Sequence, residues 1–378
     1  MKNFKLITVV GTRPEIIRLS RIISKLDSYF NHLLIHTGQN YDYELNDIFF
    51  EDLSLRKPDK YLNSAGKNSI ETIGNLMVSI DKVLEKENPN AILILGDTNS
   101  CLCSLPAKRR KIPIFHMEAG NRCFDMRVPE EINRRIVDHI SDINLTYTAI
   151  AREYLIKEGI PPEKIIKTGS PMREVIDFYQ DKINNSKILK KLNIEKRSYY
   201  LASFHREENI DIADNFSKLL NTFNYIAEKY QKQIIISTHP RTKNKLLKKK
   251  INMHNKISFI KPFCFSDYMN LQINAELVLS DSGTISEESS ILNFPAINLR
   301  ETHERPEAME EASVIMSGLD LVNVIESIEL LNSQKQIIDN REIKMVDDYK
   351  SKNLSEKIPR IILSYTDYVK KFTWKNFS

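Results

Sequence analysis

The sequence of 378 residues lacks most of the short motifs that mark metal-binding and common nucleotide-binding proteins. Its four cysteines form no CxxC pair and show no metal-ligand spacing, so we expect reduced thiols rather than a disulfide framework or a zinc site. HExxH, DxD and P-loop sequences are also missing, which gives divalent-ion catalysis little support. We therefore expect no metal in the functional site.

Long apolar runs and a strong excess of one charge are missing as well. No apolar stretch approaches the roughly twenty residues needed to cross a bilayer, and the N-terminal residues show no signal-peptide pattern. The net charge of +5 arises from 55 basic and 50 acidic residues, and the lysines are scattered. We expect a cytoplasmic protein with no membrane and no nucleic-acid partner, although a small polyanionic ligand remains compatible.

Short apolar runs alternate with helical segments along the whole chain. The strand candidates are residues 5–10, 32–36, 91–95, 112–117 and 143–147, followed by 199–204, 233–238, 256–260, 276–280 and 296–299. Apolar runs without polar alternation suit parallel strands that are buried on both faces. Together with the intervening helical segments, they predict a doubly wound α/β fold.

The length of the chain predicts two domains rather than one core. A polar helical stretch near 172–197 separates the two series of strands. We therefore predict two Rossmann-like domains, at 1–172 and 173–351. The amphipathic segment 352–377 is expected to form a helix that packs back on the first domain.

Polar residues follow several strand candidates of the first domain, where doubly wound sheets bind their ligands. Arg13 lies at the start of a helix, where anions are favoured. Asp97 and Glu118 follow neighbouring strands, and Glu130 begins a helix. Helix capping explains Asp97 equally well, and the helix dipole explains Glu130, but neither accounts for Glu118. If the three carboxylates converge, they raise one another's pKa values and suit acid–base chemistry.

The second domain offers a phosphate site and two histidines. Residues 282–284 open a helix directly after a strand, and free N–H groups there can hold a phosphate. Glu287 or Glu288, farther along this helix, could accept ribose hydroxyls, whereas the simpler interpretation is an ordinary capped helix. His205 and His239 each follow a strand and are candidates for proton transfer or phosphate binding, although a lone histidine is more often structural.

Several motifs occur in one order along the chain: GTRPE, GDT, HxEAGxR, PEExNR, HRE, DSG with a later EE, and ERPEA. This ordered set resembles the non-hydrolysing UDP-N-acetylglucosamine 2-epimerase family over nearly the whole chain. The stretches at 120–139 and 168–172 are most similar to the capsule and O-antigen subgroup that forms UDP-N-acetyl-L-fucosamine. Arg18 stands where the family has a lysine, and residues 121–125 replace its usual LRTGD.

The resemblance implies a glycosyltransferase-B arrangement, with two Rossmann-like domains facing a cleft. It implies C2 epimerisation of a UDP-N-acetylhexosamine, by UDP elimination and re-addition through a 2-acetamidoglycal, for surface polysaccharide synthesis. It also implies no cofactor and a homodimer. The alternatives are a glycosyltransferase that uses a UDP-sugar donor, a hydrolysing relative, and a regulator that binds sugar nucleotides without turnover.

The resemblance also assigns roles to individual residues. Matched motif by motif, the catalytic residues are Asp97, Glu118, Glu130 and His205. The residues matched to UDP or substrate binding are Arg13, Arg18, Arg134, His239, Ser282, Gly283, Glu288 and Arg305.

Overall fold

A computed structural model describes residues 3–38, 47–248, 252–302 and 304–376. The chain forms two compact units: unit 1 comprises Met1–Phe178 and Asp348–Ser378, and unit 2 comprises Tyr179–Asp347. The division follows the helix Met172–Phe178, whereas we predicted it at the start of this helix. The helix remains in unit 1 because it packs against the first helix of the chain, where Arg21 lies over the Phe178 ring at 3.3 Å.

Unit 1 contains, among its described residues, a parallel sheet in the order β3-β2-β1-β4-β5-β6-β7. The strands are β1 Lys5–Val10, β2 Asn31–His36, β3 Lys60–Tyr61, β4 Ala91–Leu95, β5 Ile114–Ala119, β6 Ile143–Thr146 and β7 Ile165–Lys167. The helices are α1 Arg13–Tyr29, α2 Asp47–Asp52, α3 Ser69–Glu87, α4 Ser104–Arg109, α5 Pro129–Ile140, α6 Ala149–Lys157, α7 Met172–Phe178 and α18 Leu354–Phe372.

Unit 2 contains a second parallel sheet in the order β10-β9-β8-β11-β12-β13. Its strands are β8 Tyr199–Ser203, β9 Gln233–Ser237, β10 Ile257–Ile260, β11 Leu277–Ser280, β12 Ala296–Asn298 and β13 Ile315–Met316. Its helices are α8 Gln180–Asn184, α9 Ile188–Leu192, α10 Glu207–Ile210, α11 Ala213–Tyr230, α12 Pro240–Lys248, α13 Phe265–Asn274, α14 Thr284–Leu292, α15 Pro306–Glu310, α16 Leu321–Ser333 and α17 Lys335–Asp339.

The sequence pattern explains both the buried sheets and the helices that cover them. Strand β4 reads AILIL, and all five residues are buried because helices lie on both faces of the sheet. Helix α1 buries Ile16, Leu19, Ile23 and Leu26, which recur every three or four residues and form one apolar face. The predicted α/β class with two doubly wound sheets is confirmed.

Strand order reverses once in each sheet, between β1 and β4 in unit 1 and between β8 and β11 in unit 2. Chain crossovers leave in opposite directions at such a point, which opens a crevice beyond the carboxyl ends of the two strands. The polar turns that follow these four strands are therefore the places where each unit can bind a ligand.

The C-terminal helix α18 packs along α1 within unit 1. Glu356 accepts a hydrogen bond from the Tyr29 hydroxyl at 2.9 Å and pairs with the Lys25 ammonium at 2.5 Å. The helix begins two residues later than predicted, and residue 377, the predicted end, lies outside the described residues. No helix in the described part of the chain is long and apolar enough to cross a membrane.

Candidate functional site

The turn after β1 is tied to the turn after β4 by a buried glutamate, Glu15. Its carboxylate accepts hydrogen bonds from the backbone N–H groups of Gly11, at 2.5 Å, and Thr12, at 3.0 Å. Its other oxygen accepts from the Thr98 hydroxyl, next to Asp97. Sequence reasoning missed this residue, although a threonine followed three residues later by a glutamate is the signature of a helix capping box.

Burial raises the pKa of Glu15 to about 7, against the hydrogen bonds that favour its charged form, and the nearby Asp97 adds to the rise. A pKa raised by folding means that the protonated form is favoured in the native state. The protonated form of Glu15 contributes fully to the free energy of unfolding below pH 4.5, and this contribution is lost as the pH rises to about 7.

We therefore expect Glu15→Gln to stabilise unit 1 increasingly with pH, because a neutral amide avoids the buried charge. The free energy of unfolding of the variant minus that of wild type should increase by on the order of 3 kcal/mol from pH 5 to pH 8. Urea unfolding followed by fluorescence of Trp374, the single tryptophan of the chain, measures this difference. The control Glu85→Gln, at a side chain that is 71% exposed, should match wild type at both pH values. An equal effect of Glu15→Gln at both pH values would contradict the expectation.

Asp97 and Glu118 are brought together by one buried guanidinium. Arg134, on helix α5, donates through Nη2 to the Asp97 carboxylate and through Nη1 to the Glu118 carbonyl. Gly96, in the turn after β4, also lies close to the Glu118 side chain: a Cβ placed on this glycine would lie 3.9 Å from Glu118 Oε2. One guanidinium therefore holds the Asp97 carboxylate next to the backbone of Glu118.

Glu118 lies inside strand β5 and not after it, so the predicted strand end at residue 117 was wrong. Its φ angle is +61°, and the pairing register with β6 shifts between Met117 and Ala119. Such an irregularity turns the side chain out of the strand alternation, and positive φ costs a non-glycine residue about 1 kcal/mol or more. The Glu118 carboxylate pairs with the Arg18 guanidinium, which lies 5.7 Å from the centre of the Tyr147 ring.

The remaining predicted residues of unit 1, Glu130 and Arg13, lie at the starts of two helices. Glu130 is half-buried in the first turn of α5, four residues before Arg134 and so on the same side of the helix. Arg13 is half-buried at the start of α1, with its guanidinium 5.9 Å from the Phe49 ring. Its neighbour in sequence, the turn of Gly11 and Thr12, is the one held by Glu15.

In unit 2 a buried aspartate joins the turns after β8 and β11. Asp281 accepts hydrogen bonds from the backbone N–H groups of His205 and Arg206, at 3.0–3.1 Å, and from the Asn209 side chain, at 3.1 Å. His205 Nδ1 lies 3.5 Å from the same carboxylate, and its ring stacks on that of His239 at 5.9 Å. Asp281 thus fixes the backbone on both sides of the reversal in strand order.

The turn that begins helix α14 is surrounded by charged side chains. A Cβ placed on Gly283 would lie 3.9 Å from Arg300 Nη1 and Glu304 Oε2, and 4.0 Å from Arg206 Nη2. Arg300 and Arg206 both face Glu304, at 3.3 and 3.7 Å. Ser282, directly before Gly283, is half-buried. Two guanidiniums beside a helix N-terminus are suited to a phosphate group, and Arg206 was not among the predicted ligands.

Glu288 and Arg305 lie deeper in unit 2. Glu288 is 7% exposed and accepts a hydrogen bond from the Gln272 amide at 2.6 Å. Arg305 is 4% exposed, and its guanidinium lies 3.9 Å from Glu287 and 4.0 Å from Glu307. Within the part of the chain that the structure describes, no group of three or more histidine, cysteine and acidic side chains could hold a metal ion.

Comparison with known proteins gives one consistent result. Residues 24–363 match the family model for UDP-N-acetylglucosamine 2-epimerase. The UDP-N-acetylglucosamine 2-epimerase of Methanococcus maripaludis is 39% identical over 334 residues, which are 86% of this chain and 91% of that protein.

Two solved structures are also similar to the chain. The UDP-N-acetylglucosamine 2-epimerase from Rickettsia bellii has a TM-score of 0.92 and 49% identity, and the match covers 99% of this chain and 100% of that one. The Methanocaldococcus jannaschii enzyme in complex with UDP-GlcNAc and UDP has a TM-score of 0.89 and 35% identity, covering 96% of this chain and 100% of that one.

Proposed function

The chain belongs to the UDP-N-acetylglucosamine 2-epimerase family, and on this premise we propose that it interconverts UDP-N-acetylglucosamine and UDP-N-acetylmannosamine. The observation that carries the proposal is the buried guanidinium of Arg134, which holds Asp97 and the Glu118 backbone together. A carboxylate held beside the backbone of a second acidic residue suits proton removal and proton return at one carbon.

The chemistry requires elimination, because the hydrogen on C2 of the sugar is not acidic. The C1–O bond to UDP breaks and UDP takes its electron pair, while a proton leaves C2 and a C1–C2 double bond forms. UDP then adds back to C1 as a proton returns to C2 from the opposite face. The reaction needs a base and an acid near C2 and a binding site for the departing diphosphate, and no redox step occurs.

We assign the proton transfers to the carboxylates of unit 1. Asp97 and Glu118 are the base and acid, with Glu130 as a third candidate at the start of the helix that carries Arg134. Arg18, which pairs with Glu118, sets the direction of that carboxylate and can contact substrate beside it. Arg13 is assigned to the diphosphate because its helix start favours anions.

We assign UDP binding to unit 2. Ser282 and Gly283, at the N-terminus of α14, together with Arg206 and Arg300, would stabilise the negative charge that grows on the departing diphosphate. His205, held beside Asp281, would donate a proton or a hydrogen bond to a phosphate oxygen. The other assigned residues are Glu288 for the ribose, and His239 and Arg305 for the phosphates.

Proton NMR in D2O tests the proposal directly. Purified protein is incubated with UDP-N-acetylglucosamine and, separately, with the 6-deoxy-L-talo sugar nucleotide that would yield UDP-N-acetyl-L-fucosamine. Deuterium at C2 together with the 2-epimer is the expected result for the first substrate. Faster exchange of the second would move the protein to the L-fucosamine subgroup, which the sequence at 120–139 resembles.

Other products would replace the proposal with a different function. Release of free sugar and UDP would indicate a hydrolase, and consumption of the sugar nucleotide only with an added acceptor would indicate a glycosyltransferase. UDP-sugar binding without exchange at C2 would indicate a regulator.

The proposal extends to pathway and assembly. The product would supply N-acetylhexosamine units for surface polysaccharide such as capsule. The active form would be a homodimer, since Ile132 and Ile136, one turn apart on α5, are 41% and 44% exposed and suit burial in an interface. Light scattering of the purified protein measures its mass, and a monomer would exclude this assembly.

Gly283→Val is expected to weaken UDP binding without affecting the fold. The φ angle of Gly283 is −64°, so a side chain causes no backbone strain. A Cβ meets only ordinary contacts there, but the valine methyl groups would fill the space beside Arg206 and Arg300. Loss of one charge-assisted hydrogen bond would raise the Kd for UDP about 10- to 100-fold.

Calorimetric titration with UDP measures this Kd. Gly283→Ala, which adds only the Cβ, is the matched control and should stay within about threefold of wild type, less than 1 kcal/mol. Equal Kd values for wild type and Gly283→Val would exclude this helix end from the diphosphate site.

A further inference from the structure

A fully buried histidine lies two residues before Glu118 and contacts the turn that carries Asp97. His116, in strand β5, is 0% exposed, and its Nε2–H donates to the Gly96 carbonyl at 2.7 Å. Its Nδ1 lies 2.9 Å from a carboxylate oxygen of Asp138, which is 1% exposed. Neither side chain reaches the surface, so their role must be exerted through the groups that they contact.

The contact with Gly96 fixes the residue that precedes Asp97. The Gly96 N–H donates to the Met117 carbonyl at 2.9 Å, and the Gly96 carbonyl accepts the hydrogen bond from His116 Nε2–H. Gly96 has a φ angle of +84°, a conformation that glycine adopts without penalty. The peptide before Asp97 is therefore held to strand β5 by two hydrogen bonds, one on each side of Gly96.

Asp138 contacts His116 and Gly120, which lie two residues before and two residues after Glu118. It accepts hydrogen bonds from the Gly120 N–H at 3.2 Å and from Arg122 Nη1 at 2.7 Å, and it faces the ring of His116. Burial alone would raise the pKa of Asp138, but His116 and the guanidiniums of Arg122 and Arg134 outweigh it and lower the pKa, so the carboxylate stays charged. Its contacts at His116 and Gly120 bracket Glu118, whose positive φ needs such support.

We propose that His116 and Asp138 are positioning residues, which set the distance between the Asp97 and Glu118 carboxylates by fixing the backbone beside each of them. The proposal rests on the proposed function, in which these two carboxylates exchange the proton at C2. Displacement of one reacting group by about 1 Å can lower a rate about 100-fold, so loss of the bond to Gly96 should affect turnover strongly.

Two variants separate the contacts of the histidine. In His116→Gln, the amide nitrogen occupies the place of Nε2 and can still donate to Gly96. In His116→Asn, it occupies the place of Nδ1 and reaches only Asp138. We expect His116→Gln to keep kcat within about tenfold of wild type and His116→Asn to lose about 100-fold or more. KM and the Kd for UDP should stay within about threefold, because the groups that His116 contacts, Gly96 and Asp138, are not among the residues assigned to UDP.

Equal kcat values for the two variants, or a wild-type kcat for His116→Asn, would overturn the proposal. Amide hydrogen exchange of a peptide spanning residues 95–101 provides a readout that needs no substrate. Exchange there should be faster in His116→Asn than in His116→Gln, and equal rates would refute the fixing of Gly96. If wild type shows no exchange at C2 while this difference is present, the proposed function fails and the structural part of the inference stands.

Discussion

Glu118→Gln is expected to lower kcat by about 10²- to 10⁴-fold, which is the usual contribution of a group that transfers a proton in the rate-limiting step. The amide has the size of the carboxylate and can still accept a hydrogen bond from Arg18, but it cannot take or give the proton at C2. The Kd for UDP should stay within about twofold, because an interaction confined to the transition state affects kcat and not ligand binding.

Deuterium incorporation at C2 measures the loss, and calorimetry measures the Kd for UDP. Glu131→Gln is the matched control, since Glu131 is a buried glutamate of the same unit that accepts hydrogen bonds from the Cys123 N–H, at 2.9 Å, and from Arg135. The control should lose far less activity than Glu118→Gln. Turnover near the wild-type value in Glu118→Gln would remove Glu118 from the catalytic group.

The sequence allowed the neighbourhood of Asp97 and Glu118 to be predicted for a physical reason. Parallel strands end at the same edge of a sheet, so residues at or just after the ends of the neighbouring strands β4 and β5 must lie close together. The conformation of Glu118 could not be predicted, because a positive φ is rare for glutamate and nothing in the local sequence requires it. Only the following Ala-Gly, at 119 and 120, signalled that backbone groups approach closely there.

Contacts between residues that are distant in sequence were the second feature that could not be predicted. The resemblance matched Arg18 and Arg134 to substrate, whereas the structure places both guanidiniums against the carboxylates themselves. Arg18 lies 100 positions from its partner Glu118, and no single sequence reports such a pairing. The edge strands β3, β7 and β13 were missed because two or three residues are too few to show a pattern.

Arg134→Met is expected to abolish most activity and to destabilise unit 1. Arg134 is 2% exposed, and its loss leaves the Asp97 carboxylate without this guanidinium and the Glu118 carbonyl without its donor. Removing one member of a buried ion pair typically costs about 3–5 kcal/mol, and the 16% exposure of the Asp97 side chain should bring the cost toward the lower end of this range. The lost alignment of the two carboxylates should lower kcat by about 100-fold or more.

Arg135→Met, at the next residue of the same helix, is the matched control. The Arg135 side chain is 34% exposed and pairs with Glu131 at 2.8 Å and Glu158 at 3.3 Å. A partly exposed pair is screened by water, so this change should cost about 1 kcal/mol or less and leave kcat near wild type. Urea unfolding followed by Trp374 fluorescence gives the stabilities, and C2 deuterium exchange gives the rates.

The two readouts for Arg134→Met distinguish a structural role from a catalytic one. A large loss of stability with normal turnover in the folded fraction would mean that other contacts keep Asp97 and Glu118 aligned, and the guanidinium would then serve the fold alone. Loss of turnover with little loss of stability would mean that water replaces the guanidinium around Asp97. In that case Arg134 supports the proton transfers by aligning Asp97 and Glu118, and not by stabilising the fold.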